Sequence, residues 1–326
     1  MINSRRPSLL RYGMPLLFLL MLMLPLLLSR FHLRLVTEAI IYSLYAVSYN
    51  LLLGYAGLLS FGHAMFFGVG AFFTAIVVKQ IAGMPFLGAV ALATVFTTLV
   101  GLTVGVLLLR VKGTPFALLT LAFNALFFAV GTKWHSLTGG DDGLGLAPPP
   151  INLGFMMVNT TQGVNIYYTT LLLVGLAIAF CWYFTRTAMG QSVLLMRENE
   201  ERMRFLGYNT NVSRLILFTF TGALAGLAGS FYALFNAFVS LDAVSLDMTT
   251  RVLLMTFIGG AGNFAGPILG AFFYTYVQDF LSDLTDNWPL IMGVLFIAMV
   301  LFAPGGLSGL IRDLAERFTR KTQQEE

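Results

Sequence analysis

The stretch Arg197–Arg204, RENEERMR, puts six charged residues into eight positions of a 326-residue chain that is only 10 % charged. Glu198 and Arg202 stand four apart, as do Glu200 and Arg204, the spacing at which opposite charges pair along a helix. Written as one helix, the segment sets Val193, Met196, Met203 and Leu206 in an apolar stripe, interrupted by Asn199 and Glu200, with the other charges mainly off it. Gly207 then offers a stop. A purely basic face would suit lipid headgroups. Alternating signs suit a protein partner with its own charge pattern, and a solvated helix without a partner is the other reading. Elsewhere, chemistry-bearing groups are scattered. His32, His63 and His135 are far apart, and Cys181, the one cysteine, sits in an apolar run where it packs as a small hydrophobe. H-E-x-x-H and G-x-S-x-G are absent, and no Gly-Lys pair occurs, so the chain carries no P-loop of its own. The polar residues in the apolar runs are Glu38, Asn50, His63, Lys79, Asn124 and Asp279, too dispersed for a catalytic cluster. No catalytic residue, metal site or bound cofactor is expected.

The elements that must position these groups are membrane helices. Hydrophobic residues make up 57 % of the chain and the mean hydropathy is +0.82, above the roughly 45–50 % of soluble domains. Crossing the hydrocarbon takes about 20 apolar residues per helix. Candidate spans are Tyr12–Leu28, Leu35–Leu53, Gly57–Val78, Phe86–Leu109, Pro115–Gly131, Tyr167–Thr185, Leu215–Val239, Val252–Leu281 and Pro289–Ala303. The expected fold is all-α, a polytopic transmembrane bundle over 12–303, with an N-terminus at 1–11 and a tail at 304–326. The net charge of +4 reflects basic loops between spans rather than nucleic-acid binding. Arg5, Arg6, Arg11, Arg110, Lys112, the loop 186–214 and Arg312, Arg317, Arg320 and Lys321 put both termini and that loop in the cytoplasm; Arg30 and Arg34 dissent. The loop 132–166 is then external.

Parity requires Val252–Leu281 to return to the side it left. Its centre, GGAGNFAGP from Gly259 to Pro267, is poor helix, so a broken, re-entrant or two-half-helix element is expected. A second break lies at Leu52–Phe72. Both breaks carry an apolar-apolar-Gly-x-Ala-Gly pattern, LLGYAG from Leu52 and FIGGAG from Phe257, which points to a transport pathway if it is more than coincidence. Gly262, Gly266 and Gly270, and Gly222 and Gly226, are spaced for close helix packing. Asn50, Ser60 and His63, with Gly259, Gly260 and Gly262, are candidate pathway residues, satisfied core packing being the alternative for the histidine.

MGQSVLLMRENEERMRFLGYN, from Met189, resembles the coupling loop of ABC importer permeases of the branched-chain amino acid (LivM-type) family, through Gly190, Arg197, Glu198, Asn199, Glu200, Gly207 and Asn209. YNLLLGYAGLLSFGHAMFFGVGAF from Tyr49 resembles the family's N-terminal membrane signature. LTGGDDGL resembles its T-G-G-x-D-G-L external motif at Thr138, Gly139, Gly140, Asp142, Gly143 and Leu144. GGAGNFAGPILGA resembles its late glycine-rich segment, with Asn263-Phe264 where Thr-Leu or Ser-Leu is frequent. The matches cover most of the chain in the expected order. The resemblance implies a bacterial inner-membrane permease paired with a homologous second permease, with two ATP-binding cassette subunits that hold the ATP and a periplasmic substrate-binding protein. Coupling residues carried over are Gly190, Met196, Arg197, Glu198, Asn199, Glu200, Met203 and Gly207. The 138–145 loop is either a contact for the binding protein or a folded plug. Branched-chain or other aliphatic amino acids are the implied cargo. Urea or short-chain amides in the same machinery is the first alternative, and an ion-coupled secondary transporter, with only Glu38 and Asp279 as intramembrane carboxylates, the second.

Overall fold

A computed structural model of the chain describes residues 21–108, 110–111, 113–152, 157–158, 163–303 and 305–313. The first expected span lies mostly outside them, with 21–27 helical. Arg5, Arg6, Arg11, Lys112, Arg317, Arg320 and Lys321 also lie outside.

The apolar runs become helices because a backbone in hydrocarbon must satisfy its own hydrogen bonds. In chain order these are α1 (Arg30–Asn50), α2 (Ala64–Gln80), α3 (Phe86–Leu108), α4 (Thr114–Lys133), α5 (Gly163–Arg186), α6 (Ala188–Glu198), α7 (Glu200–Phe205), α8 (Thr210–Asn236), α9 (Leu246–Gly259), α10 (Gly266–Leu284), α11 (Trp288–Phe302) and α12 (Gly306–Asp313). Strand structure among the described residues is confined to two short antiparallel pairs, β1 (Leu144–Gly145) with β4 (Phe238–Val239) and β2 (Ile151–Asn152) with β3 (Met157–Val158). Among the described residues five helices are long and apolar enough to cross a membrane, α1 with its extension to Tyr55, α3, α4, α5 and α8, and a sixth if the bent pair α11 and α12 is one span. Exposed leucines, valines and phenylalanines such as Val95, Leu99, Leu118, Leu126, Leu172 and Leu176 cover α3, α4 and α5, whereas α1 is enclosed by protein along nearly its whole length. Within the bundle, hydroxyls are satisfied by carbonyls one turn back, as in Thr37 to Leu33 (2.7 Å), Thr74 to Gly70 (2.8 Å) and Thr97 to Ala93 (2.7 Å).

Two units of the chain repeat one arrangement with opposite sense. α2 runs parallel to α8, with Phe66 against Gly222 and Gly70 against Gly226, and α3 runs antiparallel to α8, with Thr97 against Gly226 and Gly105 against Leu215. In the other unit α9 runs parallel to α1, the Thr256 hydroxyl lying 3.5 Å from the Ala46 carbonyl, and α10 folds back on α9. Each unit is interrupted by a segment without α-helix that turns back into the bundle, 56–63 before α2 and 237–245, with a 3-10 turn at Leu241–Val244, before α9. Both meet the middle of α4. The Phe61 N–H donates to Thr120 Oγ1 (3.0 Å), and Asn124 Nδ2 donates to the Val244 carbonyl (2.9 Å).

The expected span Gly57–Val78 is therefore helical only from Ala64. The run Val252–Leu281 is two helices that return to the end they left, as parity requires. The LLGYAG and FIGGAG segments do not occupy equivalent places in the repeat. They end α1 and α9 on the same side of the bundle and touch each other.

Close packing explains Gly222, Gly226, Gly266 and Gly270 but not Gly262, an exposed turn residue at φ +89°. A Cβ on Gly270 would lie 1.8 Å from the Met255 carbonyl oxygen, so the α9–α10 hairpin closes only over glycine. Gly270→Val is expected to lower the thermal unfolding midpoint of the solubilised protein by overpacking worth at least about 1–3 kcal/mol. Gly175→Val, on a helix position with nothing within 4 Å of an added Cβ, should leave it unchanged in the same melting assay.

Candidate functional site

The charged segment begins where α5 ends. Gln191 Nε2 donates to the Thr185 carbonyl (2.7 Å), and Thr187 caps α6 by accepting from the Gly190 N–H (3.3 Å). Gly190 makes the reversal possible, since a Cβ there would sit 2.3 Å from the Phe184 carbonyl oxygen. The single helix expected from the apolar stripe is two helices. Asn199 breaks it at φ −154°, ψ 97° and caps α7, its Oδ1 accepting from the Arg202 N–H at 2.9 Å. Glu200 and Glu201 then fall in the first turn of α7, where the helix dipole favours negative charge. Gly207, at φ +87°, ends α7, and the Tyr208 N–H reaches back to the Met203 carbonyl (3.1 Å).

Val193, Met196 and Met203 are buried as the stripe requires. Leu206 is not: it is 67 % exposed beside Phe205 at 91 % and a half-exposed Tyr208. The loop thus presents an apolar tip that the periodicity argument missed, with the signal lying in three large apolar residues around Gly207. The break also separates Glu198 from Arg202, which form no ion pair with each other among the described residues. Glu200 does pair with Arg204 (2.6 Å), and it also binds Arg214 on α8, while the Thr210 hydroxyl donates to it at 3.2 Å. That carboxylate therefore staples α7 to α8 instead of facing outward. Arg214 went unrecognised because its partner is 14 residues away. Glu198, Glu201 and Arg202 remain as exposed charges.

Arg197 turns inward. Its Nη1 donates to the Gly54 carbonyl, inside the π-helical turn Leu51–Tyr55 that ends α1. A π turn bonds i to i+5 and leaves end carbonyls in need of donors. Arg197 also passes beside Gly57, where an added Cβ would meet its Cγ at 3.2 Å, and beside Gly262, whose Cβ would lie 3.9 Å from Nη1. Asn50 joins the two breaks from within. Its Oδ1 accepts from the Gly262 N–H (2.9 Å) and its Nδ2 donates to the Asn263 carbonyl (3.0 Å). Gly260, at φ +109°, and the buried Gly259 form the hairpin turn, and Gly306 packs on it. The charged segment, the end of α1 and the α9–α10 turn are thus one hydrogen-bonded junction.

Ser60 and His63 belong to the other side of the same break. Both are fully buried. The Tyr49 hydroxyl donates to the Ser60 carbonyl (3.0 Å), the Gly62 N–H donates to Ser60 Oγ (3.3 Å), and His63 Nε2 lies 2.9 Å from Ser48 Oγ with its ring stacked on Tyr45. Asn50, Ser60 and His63 are therefore enclosed within the chain as parts of the joint.

At the opposite end, Thr138 Oγ1 donates to the Gly131 carbonyl (2.6 Å) and accepts from the Gly140 N–H (3.2 Å). Gly139, Gly140 and Gly143 all have positive φ, and Leu144 pairs with Val239. The motif is a folded hook that fastens the 132–145 loop to the segment re-entering after α8, with Asp142 exposed at its turn.

Asn50→Leu removes both bonds to the α9–α10 turn, each worth about 0.5–1.5 kcal/mol at a part-buried position. Faster proteolytic cleavage within 260–265 and a lower unfolding midpoint are the expected results, read by limited proteolysis of the purified protein.

Comparison with known proteins identifies what this arrangement belongs to. The family model described as branched-chain amino acid transport system / permease component matches residues 31–303. The high-affinity branched-chain amino acid transport system permease protein LivM of Salmonella typhimurium is 27 % identical over 308 residues, covering 88 % of this chain and 72 % of that one. A probable LivM of Methanocaldococcus jannaschii is 24 % identical over 314 residues, covering 82 % and 90 %. An autoinducer 2 import system permease protein, LsrC of Escherichia coli, is 29 % identical over 242 residues, covering 70 % and 66 %. No solved structure matched the chain. With its apolar exposed helices, the chain is a multi-pass membrane protein and the permease component of an ABC-type transport system. It belongs to the branched-chain amino acid transport system permease family.

Proposed function

We propose that this chain is the inner-membrane permease subunit that translocates branched-chain or other aliphatic amino acids, driven by two ATPase subunits at the end that carries the charged segment. A homologous second permease completes the passage, and a periplasmic binding protein delivers cargo at the end of the 138–145 hook. Both termini and the 186–214 loop face the cytoplasm in this reading. The observation that carries it is the inward bond of Arg197. A segment whose outer face offers Phe205, Leu206, Tyr208 and the charges Glu198, Glu201 and Arg202 to a partner also grips the Gly54 carbonyl where α1 breaks. Movement of α6 and α7 by an ATPase therefore reaches the α1 end and, through Asn50, the α9–α10 turn. ATP is bound by the partner subunits and this chain supplies the two-state element that they bias.

The LsrC relatives support a second reading of the cargo, a small polar solute other than an amino acid such as urea or a short-chain amide, carried by the same machinery. Uptake of labelled leucine, urea and acetamide into proteoliposomes holding the full complex separates the two. ATP-dependent leucine uptake insensitive to an ionophore is the expected result. Uptake that collapses with the ionophore would instead mark an ion-coupled carrier.

Two variants separate the outer from the inner role of the charged segment. Glu198→Lys with Glu201→Lys is expected to lose co-purification with the ATPase subunits. Arg197→Gln should keep the complex and its ATP hydrolysis yet lower solute transported per ATP by roughly tenfold, the scale of one charged hydrogen bond of about 1.5–3 kcal/mol. Wild-type stoichiometry in Arg197→Gln would remove the transmission role.

A further inference from the structure

Halfway up the bundle, α1 and α9 carry charge. α9 is 14 residues long and starts just after Val244, which Asn124 holds at the middle of α4. At about 1.5 Å per residue, Arg251 lies roughly 14 Å from the Gly260 turn, near the centre of a hydrocarbon layer about 30 Å thick. The outward face of α9 is polar at this depth. Asp247 and Thr250 are exposed and Arg251 is half-buried, three positions that share one face at helical spacing. Glu38 is half-buried on α1 and stands at nearly the same height, because α1 and α9 run parallel with Thr256 against Ala46.

Arg251 is not a bare cation. The Tyr42 hydroxyl interacts with its guanidinium and with the Glu38 carboxylate, and Tyr274 and Tyr232, the latter stacked on Tyr42 at 6.1 Å, stand around it. Arg34, one turn outward on α1, and Asp279 on α10 also act on Glu38. Arg251 and Glu38 nevertheless form no direct ion pair among the described residues. The opposite charges are held near each other with a phenol between them.

Lipid cannot solvate such a face. Charged side chains at this depth turn to the bundle interior or to water, and Asp247 does not turn to the interior. A polar α9 face therefore marks the side on which the permease pair encloses water. A solute crossing there meets a guanidinium and a carboxylate at one height. That is the complement of a zwitterion, whose carboxylate and ammonium each need a charged or hydrogen-bonding partner once bulk water is left behind.

We propose that the Asp247–Thr250–Arg251 face of α9 lines the passage, and that Arg251 and Glu38 hold the two ends of a zwitterionic solute in transit, Arg251 the carboxylate and Glu38 the ammonium. This rests on the permease reading above and adds where the passage runs and which chemistry selects cargo inside it.

Two measurements on the full complex in proteoliposomes test it. In the first, Thr250→Cys and Leu99→Cys are treated with a membrane-impermeant cationic methanethiosulfonate, and label on this chain is counted by mass spectrometry. Cys181 is fully buried, so the wild-type chain is the blank. Thr250→Cys should react at least about tenfold faster than Leu99→Cys on the apolar face of α3, since the reactive thiolate forms in water and not in apolar surroundings. A Thr250→Cys thiol as inert as Leu99→Cys means that lipid or a dry contact with the second permease covers the face, and overturns the proposal. In the second, Arg251→Gln should lower leucine transported per ATP by roughly tenfold, the scale of one charged hydrogen bond. Labelling of Thr250→Cys should persist in that background, and Arg251→Lys should restore part of the transport. Wild-type transport per ATP in Arg251→Gln overturns the zwitterion role. Should Arg251→Gln fail to assemble, Glu38→Gln reads the ammonium side, and unchanged leucine transport there overturns it equally. A wild-type complex that moves no leucine while Thr250→Cys is labelled overturns the amino-acid cargo, and the zwitterion role with it, but supports the α9 face as the passage wall.

Discussion

A helix that stops inside an apolar bundle leaves carbonyls and N–H groups that neither lipid nor water will take, and several polar residues of this chain answer that demand. The break at the end of α1 is answered by Arg197 on the Gly54 carbonyl. The turn between α9 and α10 is answered by Asn50 on the Gly262 N–H and the Asn263 carbonyl. The re-entrant segments are answered by Thr120, Asn124 and Thr249, which bond Phe61, Val244 and Ala64. Once these obligations are met, the junction is a connected solid, and a pull on one member is felt by the others.

This accounts for the limits of reading the site from sequence. Most helix positions among the described residues were legible, because runs of roughly 17 or more apolar residues have a single physical destination. The α9–α10 break was legible from glycine density and parity. Asn50, Ser60 and His63 stood out correctly as costly polar groups, but their use as joint fixers depends on partners such as Ser48, Gly262 and Asn263, of which two lie more than 200 residues away. For the same reason Arg197 reads as a charge off the apolar stripe and Glu200 as an interruption of it, while Gly54 and Arg214, which bind them, carry no local signal. Asn199 was noticed only as an interruption of a stripe. Its habit of capping, stronger than its tolerance of a helix interior, makes it the boundary between two helices.

The similar Gly-x-Ala-Gly segments teach a related lesson. Their likeness suggested equivalent positions in two halves, yet the opposed units place α1 opposite α8 and α2 opposite α9. The two segments resemble each other because they face each other: backbone packed against backbone, with an added Cβ on Gly54 falling 2.6 Å from the Gly262 nitrogen, asks for small residues on both surfaces. Contact, rather than descent from a common unit, is sufficient to explain the pattern.

The enclosure of α1 has a further consequence for how the chain is made. Its mean hydropathy of 1.3 is the lowest of the membrane-length helices, against 2.2 for α3, and it carries Glu38 and Asn50. On thermodynamic grounds it is the span least suited to leave the translocation machinery for bare lipid. The helices that shelter it, α8 and α10, are synthesised 150 or more residues later. Biogenesis must therefore keep an under-hydrophobic segment waiting for its neighbours, which makes the order of emergence from the ribosome as much a part of this architecture as its packing.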